Sequence, residues 1–162
     1  MELSKEEILV QRLTKKKMHI VFAESCTGGL AAARLIDVPS ASNVINESFI
    51  TYSNQAKVKY LNVDPDTISA YGVVSEEVAG EMAFGAARTA KCEAGVGISG
   101  IAGPSGGTKD KPVGMVCFGF WIYGTLSTYT KYFGAVGRNE VRRRSVEFVY
   151  DKLLELTAAD EK

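Results

Sequence analysis

The chain has 162 residues, and its 19 Lys plus Arg balance its 19 Asp plus Glu, so nothing in its charge points to a nucleic acid or a membrane surface as partner. That length suits a single domain with a sizeable core. No apolar run approaches the roughly 18 residues of a membrane span, and the opening Met1-Glu2-Leu3-Ser4-Lys5-Glu6-Glu7 is not a signal peptide.

Ser4 and Glu7 form a capping box, Ile8, Leu9 and Leu13 share one face, and Lys15-Lys16-Lys17 suits a helix C-terminus, which together predict a first helix. His19 to Ala23 reads as a short strand. Gly28 to Ile36 reads as a helix stopped by Asp37-Val38-Pro39, and Ser40 to Asn46 as a loop. The β-branched and aromatic stretch Ser48 to Tyr52 predicts a strand. Asn54 can cap a short helix through Leu61. Asp64-Pro65 opens another that ends at Gly72, and Ser75 caps a long helix whose Val78, Met82 and Ala86 recur at spacing four. Its small-residue face predicts close packing on a sheet. Ala94 to Ile101 is the next strand, followed by the turn-rich loop Ala102 to Thr108. Val113 to Trp121 and Leu126 to Phe133 form a hairpin-like pair around Tyr123-Gly124-Thr125. Val146, Val149, Leu153 and Leu156 mark a last helix over about 139–156. Helices and strands alternate early and an antiparallel pair comes late, which predicts a single α/β domain over 1–162, a three-layer sandwich on a mixed sheet. The late pair could leave an open edge for a homodimer or higher homo-oligomer, or an edge that is simply covered.

Three cysteines (Cys26, Cys92, Cys117), odd in number and far apart, read as free thiols in a reducing cytosol, so a cytoplasmic location is expected. His19 is the only histidine, which excludes a His-rich metal centre. Three polar segments follow strands, where the loops of an α/β sheet gather into a crevice: Glu24 to Gly29, Thr51 to Lys57 and Ser99 to Thr108. In the first, Ser25, Cys26 and Thr27 precede a helix whose unpaired N–H groups can hold an anion or developing negative charge. A serine hydroxyl needs a base to become a nucleophile. His19 lies six residues back and cannot easily reach over, which leaves Lys57, beside Tyr52, as the attractive base. A lysine titrates near 10.4 and a useful base near 7 to 8, a gap that burial or a neighbouring cation can close. The alternative is that Ser25 only caps a helix and Lys57 is a solvated surface residue. Cys26 is a rival nucleophile at a helix N-terminus, or a small buried residue. The loop Gly100 to Thr108 looks like a phosphate cradle but lacks the Gly-Lys-Ser/Thr ending of a nucleoside-triphosphate loop, and a plain connection fits its composition as well. Arg138, Arg142, Arg143 and Arg144 crowd the start of the last helix, where cations oppose the dipole. A bound anion would compensate for Arg138, whereas pairing with Glu140 or Glu147 would account for the other three.

Together these segments resemble the CinA C-terminal domain family of nicotinamide-nucleotide amidohydrolases. The matching stretches are Ala-Glu-Ser-Cys-Thr-Gly-Gly (23–29), Thr-Tyr-Ser-Asn-Gln-Ala-Lys (51–57), Gly-Val-Val-Ser-Glu-Glu-Val (72–78), Ile-Ser-Gly-Ile-Ala-Gly-Pro-Ser-Gly-Gly-Thr (98–108) and Lys-Pro-Val-Gly (111–114). The resemblance implies a three-layer α/β/α sandwich on a mixed five-stranded sheet. It also implies hydrolysis of the carboxamide of nicotinamide mononucleotide to nicotinic acid mononucleotide and ammonia, in pyridine nucleotide recycling, with no cofactor and no metal. Ser25 is then the nucleophile and Lys57 its base, with Tyr52 beside them. Glu24, Thr27, Gly28, Gly29, Gly103, Ser105, Gly106, Gly107, Thr108 and Arg138 are the expected substrate contacts, and the nucleotide is the expected partner. With no molybdopterin-binding-like domain ahead of it, a stand-alone form is expected. Pro39-Ser40-Ala41-Ser42, Glu47-Ser48 and Val136-Gly137-Arg138 depart from the family's usual Pro-Gly-Ser-Ser, glycine and Gly-Asp-Arg. A catalytically weak nucleotide-binding module and an amidase for another small amide are therefore the alternative functions.

Overall fold

The computed structural model describes residues 1–158. Its elements run α1 (Lys5–Lys16), β1 (Ile20–Glu24), α2 (Leu30–Ile36), a 3-10 turn (Ala41–Asn43), β2 (Phe49–Ile50), α3 (Asn54–Leu61), α4 (Pro65–Tyr71), α5 (Glu76–Ala90), β3 (Ala94–Gly100), β4 (Met115–Ile122), β5 (Thr125–Tyr132) and α6 (Arg138–Ala158). The five strands form one sheet in the order β2-β1-β3-β4-β5. β1 is parallel to both β2 and β3, and β4 is antiparallel to β3 and β5. No helix among the described residues is long and apolar enough to cross a membrane.

The layers follow from the period-two alternation of the strands. Ile20 and Phe22 of β1, Val96 and Ile98 of β3, and Phe118 and Phe120 of β4 meet α1, α2 and α6 in one core. Val21 and Ala23 face the other way, against Leu61 of α3 and Val78, Met82 and Ala86 of α5. β1 is covered on both faces, which is why it reads as an unbroken apolar run. On the α5 side β3 offers Gly95, Gly97 and Ser99, and it is the two glycines that lie under α5. A Cβ on Gly97 would lie 2.2 Å from the Ala79 carbonyl oxygen, so the backbone of α5 rests directly on the sheet. The small-residue face read in the sequence therefore meets a glycine face across from it.

Several boundaries differ from the sequence reading. β1 covers 20–24 rather than 19–23. α2 starts at Leu30 rather than Gly28, because Gly28 and Gly29 take φ of +57° and +103° and so form a turn, not a helix. β2 is two residues long, since its partner β1 ends at Glu24 and leaves nothing for Thr51 and Tyr52 to pair with beyond one Thr51 N–H bond to the Glu24 carbonyl. The cap of α3 is Ser53, not Asn54. The loop 40–46 contains a 3-10 turn. β4 starts at Met115 because the chain turns at Pro112 to Met115, with Gly114 at φ +91°. β5 covers 125–132 rather than 126–133, and α6 runs from 138 to 158 rather than 139 to 156, which puts Arg138 on the helix. The capping box at Ser4 and Glu7 and the Asp64, Gly72 and Ser75 signals stand as read.

The glycine face of β3 gives a direct test of the layering. Gly97→Ala would force α5 off the sheet, and overpacking of this kind costs about 3 kcal/mol. The expected result is a lowered denaturant midpoint with an unchanged m-value.

Candidate active site

The chain enters the sheet at β1, crosses to the edge β2 along one face by way of α2, and returns to β3 along the other face by way of α3, α4 and α5. The carboxyl ends of β1 and β3 lie side by side where these connections part. Such a reversal opens a crevice in α/β sheets. A cleft of about 360 Å³ lies there, lined by residues of the turn after β1, the segment after β2, the loop after β3 and the start of α6.

Ser25 and Lys57 meet in this cleft although 32 positions separate them. Lys57 Nζ donates to Ser25 Oγ at 3.2 Å and to the Thr51 carbonyl at 2.8 Å, with the Tyr52 carbonyl at 3.4 Å. Lys57 is 1% exposed, so it is no solvated surface residue. All three oxygens are uncharged, and burial pulls the Lys57 pKa down to about 8 from its ordinary 10.5. The Thr51 hydroxyl beside this carbonyl is buried and has no hydrogen-bond partner among the described residues.

Ser25 caps no helix. The helix behind it is held by Glu24, whose carboxylate accepts from the Ala31 and Ala32 N–H groups at 2.9 and 3.0 Å and from Thr27 Oγ1 at 2.6 Å. A fully buried carboxylate at a helix N-terminus satisfies orphan donors and complements the dipole. Glu24 is thus held inside the protein rather than presented to a ligand, which corrects its reading as a substrate contact. The Thr27 side chain is likewise turned inward, its hydroxyl held by Glu24, and Gly28 and Gly29 shape the turn without lining the cleft. The Gly28 N–H is already bonded to the Ser25 carbonyl at 3.0 Å.

Burial pushes the Cys26 thiol up to about 11, so the rival nucleophile is a poor thiolate. His19 precedes β1, on the order of 15 Å down the strand from Ser25. Tyr52 is exposed at the rim. Its hydroxyl accepts from Arg138 Nη2 at 3.0 Å, and it is its carbonyl that Lys57 bonds.

Gly103, Ser105, Gly106 and Arg138 line the cleft, the last donating also to the Gly103 carbonyl at 2.8 Å. Gly107 and Thr108 do not. Gly107 lies against Val113, and the Thr108 N–H and hydroxyl bond to the Lys111 backbone, which closes the loop on itself. Arg143 and Arg144 pair with Glu140, as the sequence suggested for them. Arg142 pairs with no acid among the described residues. It bonds the carbonyls of Cys26 and Thr27. Sequence reasoning missed this contact, and missed Val73 and Val74 as cleft walls, because only the fold carries α6 and the segment before α5 to the turn after β1. Ser99 and Asn54, inside segments already singled out, also line the cleft.

The sequence profile described as CinA C-terminal domain matches residues 2–157. A CinA-like protein of Kosmotoga olearia is 47% identical over 150 residues, 93% of this chain and 36% of its own length. The chain spans little more than a third of the curated relatives it matches. Among solved structures, a competence-damaged protein (CinA) superfamily protein from Escherichia coli has a TM-score of 0.90 at 33% identity, over 96% of this chain and 94% of that one. The competence/damage inducible protein from Agrobacterium tumefaciens has a TM-score of 0.87 at 34% identity, over 96% and 99%.

The depressed Lys57 pKa has a consequence for stability. A base that binds its proton less readily when folded destabilises the fold wherever the unfolded lysine is charged and the folded one resists charging. That destabilisation is full below pH 8 and vanishes as pH rises through 10.5. The stability of the parent relative to Lys57→Met should therefore rise by about 3 kcal/mol between pH 7.5 and 10.5, as measured by urea unfolding across that range.

Proposed function

The chain belongs to the CinA C-terminal domain family, and from that premise we propose that it hydrolyses the carboxamide of nicotinamide mononucleotide to nicotinic acid mononucleotide and ammonia. The observation that carries this reading is the 3.2 Å contact between Ser25 Oγ and the buried Lys57 Nζ. With a pKa of about 8, roughly a quarter of the molecules hold Lys57 neutral at pH 7.5, against about one in a thousand for an unshifted lysine. A neutral amine beside a hydroxyl is a base ready to take its proton.

Ser25 Oγ attacks the carboxamide carbon while its proton passes directly to Lys57 Nζ. Negative charge gathers on the carboxamide oxygen and is met by the N–H groups of Cys26 and Thr27, which have no acceptor among the described residues. Lys57 then returns the proton to the departing nitrogen, the C–N bond breaks and ammonia leaves an acyl-Ser25. Water attacks that ester with Lys57 again accepting a proton, the bond from the acyl carbon to Ser25 Oγ breaks, Lys57 returns the proton to Ser25 Oγ, and nicotinic acid mononucleotide is released. The chemistry draws only on substrate, water and these side chains.

Arg138 and the backbone of Gly103 to Gly106 are suited to the 5′-phosphate, since a guanidinium binds phosphate oxygens in pairs. The ring of Tyr52 at the rim can lie against the cationic pyridinium. The buried free thiols Cys26 and Cys117, with the partly buried Cys92, suit a reducing compartment, and we place the protein in the cytosol.

Ammonia release from nicotinamide mononucleotide, its riboside and glutamine tests the substrate. The nucleotide should be turned over with the highest kcat/KM, and Arg138→Met should raise KM for it about tenfold while barely changing the riboside. Ser25→Ala and Lys57→Ala should each lower kcat by about 10³-fold or more, and parent-like rates in both would end the Ser–Lys reading. Because the neutral amine is the active form, kcat/KM should climb with pH and level off above an apparent pKa of about 8. Thermal stabilisation by the nucleotide without ammonia release would instead mark a binding module.

A further inference from the structure

Arg142 reaches from α6 back to the turn that carries Ser25. Its Nε donates to the Cys26 carbonyl at 2.9 Å and its Nη2 to the Thr27 carbonyl at 3.4 Å, while Nη1 is held by Asn139 Oδ1 at 3.0 Å. A trans peptide is planar and sets its C=O and N–H on opposite sides. The Thr27 carbonyl accepts from the Leu30 N–H at 3.1 Å as well as from Arg142, and the N–H of Gly28 points the other way. That N–H is found on the Ser25 carbonyl. The same rule applied one peptide earlier turns the Thr27 N–H, opposite the Cys26 carbonyl, away from Arg142. Thr27 is fully buried, and its N–H has no acceptor among the described residues. Buried N–H groups without a partner are rare. One held beside a nucleophile has the placement that a developing oxyanion requires.

Resting on the acyl-transfer reading above, we propose that Arg142 is a positioning residue. It sets the 26–27 peptide so that the Thr27 N–H faces the oxygen that becomes negative when Ser25 attacks. Arginine suits this work because its rigid fork holds two carbonyls at once, whereas lysine offers a single point charge. Arg143, one residue on, carries the same charge but pairs with Glu140.

The test uses two substrates, so that the amide reading and the Arg142 reading are judged apart. p-Nitrophenyl acetate probes Ser25 without nucleotide recognition. A bond forms between Ser25 Oγ and the acetyl carbon, the bond to p-nitrophenolate breaks, and the Ser25 proton passes to Lys57 Nζ. Nicotinamide mononucleotide gives kcat and KM. Arg142→Met should slow the p-nitrophenolate burst and lower kcat by about 10²-fold, the usual loss for one oxyanion donor, with KM within about twofold of the parent. Arg143→Met should match the parent in both assays. Arg142→Lys keeps the charge but grips one carbonyl, and should burst about tenfold slower than the parent. A parent-like burst in folded Arg142→Met overturns the proposal. Should Arg142→Met fail to fold, a parent-like burst in Arg142→Lys overturns it. Equal losses in Arg143→Met also overturn it, by assigning the effect to charge alone. A parent that bursts but releases no ammonia defeats the substrate reading alone, and the variants' bursts still decide Arg142. A parent with no burst defeats both.

Discussion

A lysine ammonium buried among uncharged oxygens is held against its own preference for water. Lys57 sits in that position, touching Ser25 Oγ and the carbonyls of Thr51 and Tyr52. Among the described residues no carboxylate is one of the groups that act on it. The closest acid in sequence to Ser25 is Glu24, and the fold removes it from consideration by binding both of its oxygens to the start of α2 and to Thr27. Were that carboxylate free to pair with the ammonium, Lys57 would keep its proton, and the proposed reaction would lose its base. The same turn therefore supplies the hydroxyl and withholds the counter-charge.

That arrangement needs a rigid frame, because a hydrogen bond between residues from different loops survives only if both loops are fixed. The frame is the sheet with α5 lying directly on its glycine face, which leaves no side-chain layer to slide. β1 and β3 are parallel neighbours, so the turn after one and the loop after the other end at the same level. α6 closes the assembly from the opposite face. Arg138 joins Gly103 to Tyr52 across the cleft, and Arg142 ties down the turn after β1. The crowding of arginines at the start of this helix, unfavourable for its dipole, is resolved in two ways. Arg143 and Arg144 share the Glu140 carboxylate, which they hold down at about 2, while Arg138 and Arg142 turn to carbonyls.

What could be read from the chain alone was whatever local chemistry imposes. The caps at Ser4, Asp64 and Ser75, the apolar run of β1 and the small-residue face of α5 all act within a few residues of themselves, and each stands in the structure. The sheet and its layers followed from the order of those pieces, and Ser25 and Lys57 from motif resemblance. Tertiary structure decided everything that depends on a distant partner. The depression of the Lys57 pKa comes from burial, which no spacing reveals. Glu24 became a helix anchor and Gly28 a turn donor because α2 begins two residues later than its composition suggests. Arg142, indistinguishable in sequence from Arg143, differs only in which side of α6 faces the sheet, and that side is set by helical phase against a core assembled from the whole chain.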